Sequence, residues 1–171
     1  MTIITGQIIG FLAVGLGFFI YQQKSYKKTI AFKMLTDFLW ILHFFCLKGY
    51  TAMITTSIAV FRELAFMNSG KKRRFGIWCP VIFIVAFAFS LVFTYKGVSS
   101  IFPVISSSIA TVGLWNKNTS KMRAFIFVQS AGMLIYNTVI FSVAGIINEL
   151  ITISSLIISV IRQRAYDKTG R

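Results

Sequence analysis

The chain has 171 residues, of which 56% are hydrophobic and only 13% charged, where a soluble domain carries about a quarter charged. Four acids (Asp37, Glu63, Glu149 and Asp167) stand against eighteen Lys and Arg, a net charge of +14. The bases fall in short clusters between long apolar runs, as in the loops of a membrane protein. They do not gather into the single patch that would mark a soluble nucleic-acid binder, and nucleic acid is excluded as a partner.

A membrane-crossing helix needs about 20 mostly apolar residues. The first such run covers 4–22. It has no basic segment before it and no A-x-A-like site, so it is expected to be an uncleaved span with its N-terminus outside. Gly6 with Gly10, and Ala13 with Gly17, are small-xxx-small pairs that admit a close neighbouring helix. Lys24, Lys27 and Lys28 follow.

The second span, 30–47, holds Lys33 and Asp37 four residues apart, the spacing of an intrahelical ion pair. A charge at mid-membrane costs about 2.5–3.5 kcal/mol, so Asp37 is also a functional candidate. Thr36, Trp40, His43 and Leu47 share a face and would form a polar and aromatic stripe along a solute path. His43 lies about 240° around the helix from Asp37, so the two make no catalytic pair there.

Lys48, Gly49 and Tyr50 separate this span from the third, 51–67. A continuous helix of about 38 residues is too long for a bilayer, so a tight turn is expected there. Arg62 and Glu63 are neighbours in sequence, do not face each other on a helix, and are expected to reach separately to the inner interface. Lys71, Lys72, Arg73 and Arg74 come next.

Spans four (75–94) and five (99–115) contain no charged residue except the lone Lys96 between them. Pro80 and Pro103 fall in their first turns, Ser106 and Ala110 form another small pair, and Trp115 suits an interfacial belt. Cys46 and Cys79, the only cysteines, sit in apolar runs and read as small buried residues. After Lys117, Lys121 and Arg123 the sixth span runs over 123–142. Gln129, Gly132, Tyr136 and Ile140 share one face there, with Asn137 beside Tyr136. The seventh span, 146–162, is expected to start at Asn148 and Glu149 as a capped end. Arg162, Arg164, Lys168 and Arg171 follow it.

Basic and nearly charge-free loops alternate along the whole chain, and adding or removing one span breaks that order. The expectation is therefore an all-α integral membrane protein of seven transmembrane helices, N-terminus outside and C-terminus cytoplasmic. Ala59-Val60-Phe61-Arg62 resembles Ser159-Val160-Ile161-Arg162, and Lys28 with His43 parallels Arg123 with Asn137. These matches predict two parallel three-helix repeats joined by a linker helix, a 3+1+3 order, within a single membrane domain: 1–70, 71–97 and 98–171. In that alignment Asn137 faces His43 across a pseudo-axis.

The stretch His43-Phe44-Phe45-x-Leu47-x-Gly49, with Arg62 beyond it, the basic segment Lys24–Lys28 and the helix ending in Arg162 resembles the YgjV-type bacterial inner-membrane proteins. The resemblance covers nearly the whole chain and implies a bacterial plasma-membrane location, without implying an activity. Relatives of this type carry an asparagine three residues before each arginine, where this chain has Ala59 and Ser159. Any contact those asparagines make is changed here. A more distant likeness to SWEET and PQ-loop carriers rests on topology, and the Pro-Gln dipeptide of the latter is replaced by Pro80-Val81 and Pro103-Val104.

One histidine, two separated cysteines and no nucleophile or phosphate-loop motif point away from an enzyme, a metal or any cofactor. The expected partners are the lipid bilayer and a small polar solute, with a homo-oligomer also allowed. The functional expectation is a solute carrier with Asp37, Trp40, His43, Gln129, Tyr136 and Asn137 along its path. The alternative is a non-transporting scaffold, assembly or sensor protein.

Overall fold

Where water is scarce a backbone must satisfy its own N–H and C=O groups, and the long apolar runs do so as helices. The computed structural model describes residues 2–20, 26–68, 76–116 and 119–169, and side chains for 2–17, 32–66, 76–116 and 121–161. Seven α-helices and no strand occur among them: α1 (Ile3–Ile20), α2 (Tyr26–Cys46), α3 (Tyr50–Asn68), α4 (Trp78–Thr94), α5 (Ile101–Trp115), α6 (Thr119–Val139) and α7 (Val143–Thr169). A single 3-10 turn, Val98–Ser100, leads into α5.

Each helix overlaps one expected span, with ends displaced. α2 and α6 begin earlier and α7 continues to Thr169, because hydropathy marks only the apolar part of a helix that runs on into basic sequence. Val98–Trp115 and Val143–Ile161 are long and apolar enough to cross a membrane, and Ile3–Gly17 and Trp78–Thr94 are shorter apolar helices. The basic residues Lys24, Lys71, Lys72, Arg73, Arg74 and Lys117 lie outside the described residues, as do the side chains of Lys27, Lys28, Arg162 and Arg164.

The helices close into a ring. α1 packs on α2 and α7, α3 on α2 and α5, and α6 on α5 and α7, while α4 sits outside against α3 and α5. Ile82, Val85, Phe89, Val92 and Phe93 of α4 remain exposed, an apolar face suited to lipid. Phe44, Ala52 and Tyr136 form the buried centre between α2, α3 and α6, with Trp40, Met133 and Ile140 packed around them.

Two turns have the same construction. After α2, Lys48 takes a left-handed φ of 59°, Gly49 N–H donates to Phe44 O at 2.8 Å and Lys48 N–H to Phe45 O at 3.1 Å. After α6, Phe141 has φ 54°, Ser142 N–H donates to Asn137 O at 2.8 Å and Phe141 N–H to Thr138 O at 3.2 Å. Both are Schellman closures, which satisfy the last carbonyls of a helix and reverse the chain at once. The expected tight turn at Gly49 is present. Ser142, whose Oγ accepts from Gly145 N–H at 3.1 Å, caps α7. Asn148 and Glu149 therefore do not start that helix; they lie inside it.

Small residues set the closest approaches. A Cβ on Gly10 would stand 2.5 Å from His43 Nδ1 and 2.6 Å from Ala144 Cβ, whereas one on Gly15 meets nothing within 4 Å. Gly10→Ala is expected to lower stability by about 1–3 kcal/mol through overpacking. Gly15→Ala should leave it unchanged or slightly raise it, since alanine favours helix. Thermal unfolding of the two variants side by side in detergent checks the contrast; equal effects would refute it. Gly17, expected to serve packing, has open space around it and borders a cavity.

Candidate functional site

Inside the ring lies a cavity of about 860 Å³, bordered by α1, α2, α3, α6 and α7. It runs from Phe44, Asn137 and Gly145, near the two Schellman turns, to Lys33, Arg123 and Ser159 near the basic ends of the helices. Its polar wall is made by Lys33, Thr36 and Asp37 of α2, Gln129 and Asn137 of α6, and Asn148, Glu149 and Thr152 of α7. Trp40 and Phe44 contribute aromatic faces, stacked with centroids 5.8 Å apart.

Helical spacing explains which side chains reach it. On α2, residues 33, 36, 37, 40 and 44 form one stripe, and on α6, residues 122, 126, 129, 133 and 137 form another. On α7 the stripe is Asn148, Thr152, Ser155 and Ser159, a polar 4-3-4 pattern in the largely apolar part of that helix.

Four charged side chains of α2 and α3 meet in a chain. Lys33 Nζ lies 3.2 Å from Asp37 Oδ2 and 2.9 Å from Glu63 Oε1, so the expected Lys33–Asp37 pair exists and has a third member on α3. Arg62 Nη2 approaches the same Glu63 oxygen at 3.4 Å. Arg62 is only 4% exposed, donates from Nη1 to Thr111 Oγ1 at 3.0 Å and to Ser107 O at 3.4 Å, and stands 6.0 Å from the Phe87 ring centre. The expectation that Arg62 and Glu63 reach separately to the interface is thus wrong. A polar edge on α5, Ser107 and Thr111, gives the guanidinium an inward destination that costs less than unpaired exposure to lipid.

His43 is fully buried, but away from the cavity wall. Its Nδ1 lies 2.7 Å from Gly6 O, which can only accept, so Nδ1 carries the hydrogen. Its Nε2 lies 2.7 Å from Ser142 Oγ, which donates to it. His43 thereby ties α1, α2 and the start of α7 together. Gln7 completes the clasp, donating to Phe141 O at 2.7 Å and accepting from Ala144 N–H at 3.3 Å. Tyr136 makes the reciprocal contact: its hydroxyl lies against Gly49 and the backbone of Ala52 at the start of α3.

The expected His43–Asn137 facing therefore does not occur. The Schellman turns place Asn137 opposite Phe44 and Tyr136 opposite His43, one residue away from the alignment read from sequence. Of the six residues expected along a solute path, Asp37, Trp40, Gln129 and Asn137 border the cavity, whereas His43 and Tyr136 are buried and do not border it. Gly132 and Ile140, placed on the same α6 face by sequence, also turn elsewhere; a Cβ on Gly132 would collide with Ser106 of α5.

Sequence reasoning missed Glu149. It is 7% exposed, borders the cavity, accepts from Asn148 Nδ2 at 3.3 Å and sits beside the Ser130 hydroxyl. Among the described residues no Lys or Arg forms an ion pair with it. The polar stripe on α7 was the available signal. Asn137 Oδ1, also buried, has no donor.

A scan of protein families finds one model, Imp-YgjV, described as a bacterial inner membrane protein, that matches residues 4–167. No curated protein and no solved structure matches the chain.

Proposed function

We propose, for a chain that belongs to the Imp-YgjV family of bacterial inner membrane proteins, that it is a non-enzymatic carrier of a small polar solute. Its site lies between two parallel three-helix units, α1–α3 and α5–α7, with α4 as linker. The observation that carries this reading is the half-open cavity of about 860 Å³, with a run of polar side chains along an otherwise apolar lining, bordered by helices of both units. A purely structural bundle would gain stability by filling such a space with side chains.

Three features support the two-unit organisation. The ring neighbours correspond pair by pair: α1 on α2 with α5 on α6, α2 on α3 with α6 on α7, and α3 on α5 with α7 on α1. The Schellman turns correspond atom for atom, Lys48 to Phe141 and Gly49 to Ser142. His43 braces the start of α7 and Tyr136 the start of α3, so each unit holds the third helix of the other. This register sets Arg62 opposite Ser155, so the Arg62 and Arg162 strings mark no equivalent positions.

With all seven helices crossing the bilayer and basic loops inside, the cavity opens to the cytoplasm and its blind end lies beneath the outer turns. The test is chemical access. Thr152→Cys, in a Cys46→Ala and Cys79→Ala background, is expected to react with a membrane-impermeant maleimide in inside-out vesicles and not in right-side-out ones. Reaction from neither side would mean that no water-filled cavity reaches Thr152, and the protein would then be a scaffold.

A further inference from the structure

We infer that the solute is a small organic cation bearing a protonated amine, held by the Glu149 carboxylate with Trp40 as an aromatic wall. This deepens the carrier reading and rests on it.

Most of the buried charges around the cavity are already matched. Lys33 lies between Asp37 and Glu63, and Arg62 takes a second place on Glu63, so two cations meet two carboxylates and cancel. Glu149 is outside that group. Asn148 and the neighbouring Ser130 hydroxyl offer dipoles to it, but among the described residues no cation pairs with it. A carboxylate so enclosed is costly when charged and unpaired, and a ligand cation removes that cost on arrival.

The rest of the wall fits the same chemistry. Trp40 is stacked on Phe44 and both border the cavity, an arrangement that attracts ammonium groups through the ring quadrupole. Asn137, 1% exposed, borders the deep end, and its buried side-chain oxygen, packed against Gly145, has no donor. Gln129 and Thr36 supply hydrogen-bonding groups of either sense for the solute's remaining polar atoms. Arg123 borders the same cavity from two turns earlier on α6 than Ser130 and forms no ion pair with Glu149. An anionic solute would meet Glu149 in the cavity wall and find Lys33 already engaged.

The experiment is thermal unfolding and calorimetric titration of the full-length protein in detergent. The probes are ethanolamine, putrescine and choline, against ethylene glycol and acetate as neutral and anionic comparisons. At least one amine is expected to raise the unfolding temperature of the wild type, with binding at least ten-fold weaker in Glu149→Gln. Trp40→Leu should weaken the same amine by about three- to ten-fold, in line with a lost cation–π contact. Glu149→Gln should unfold no earlier than wild type in the absence of probe, which separates lost recognition from lost folding. Amines that stabilise wild type and Glu149→Gln equally, or stabilisation by the neutral or anionic probes alone, would overturn the inference and leave the carrier reading standing. No stabilisation by any probe, of any charge, would overturn both.

Discussion

Replacing Arg62 by alanine is expected to cost about 3–5 kcal/mol, the largest loss from any single substitution in the bundle. Three elements meet at this guanidinium. It is bonded to Thr111 and Ser107 of α5, shares Glu63 with Lys33, and lies near Phe87 of α4. Removing it takes a donor from the Thr111 hydroxyl, which keeps its own bond to Ser107 O, leaves Glu63 to Lys33 alone, and opens a hole where α3 meets α5 and α4. The double variant Arg62→Ala, Glu63→Gln should recover part of the loss, because it also removes the excess negative charge. A double-mutant cycle on unfolding in mixed detergent measures that coupling. Additive effects of the two substitutions would mean that the Arg62–Glu63 contact has no energetic consequence.

The second large effect is expected at His43. His43→Ala should lose about 2–4 kcal/mol, from a packing defect and two broken interhelical hydrogen bonds. The ring also sits edge-on to Trp40 at 5.2 Å and against Phe44, so its loss loosens one wall of the cavity from behind. His43→Gln, which can still span part of the distance, should lose less. Solute binding by His43→Gln should persist once stability is corrected for, since the imidazole does not border the cavity. A variant that folds as well as wild type yet binds nothing would instead put His43 in the solute site.

The contrast between His43 and Glu149 shows what sequence could and could not tell. Seven apolar runs, the turn at Gly49 and the pairing of Lys33 with Asp37 were legible, because period, length and i, i+4 spacing are local properties. Which face of α2 or α6 looks inward was not. His43 and Trp40 are three residues apart and share a helical face in projection, yet small residues at Gly6 and Gly10 let α1 come close enough to take the imidazole. The assignment of the face was decided by the neighbour, not by the helix. Arg62 was misplaced for the same reason: its destination, Thr111, is contributed by α5, forty-nine residues on. Glu149 was mistaken for a helix end because the cap, Ser142, lies beyond the apolar run that defined the span. The stripe Asn148, Thr152, Ser155 and Ser159 was present in the sequence and would have placed Glu149 inside the helix, next to a polar face.

Transport itself tests the central claim most directly. Wild-type protein would be reconstituted into liposomes and uptake of labelled small polar solutes followed, with cationic, neutral and anionic members in the set. Ser155→Trp, placed to fill the cavity, would be reconstituted in parallel. Saturable, protein-dependent entry of at least one solute is expected, lost in Ser155→Trp although that variant still folds. Entry of every solute at the rate of protein-free liposomes, or entry unaffected by Ser155→Trp, would contradict a solute path through this cavity.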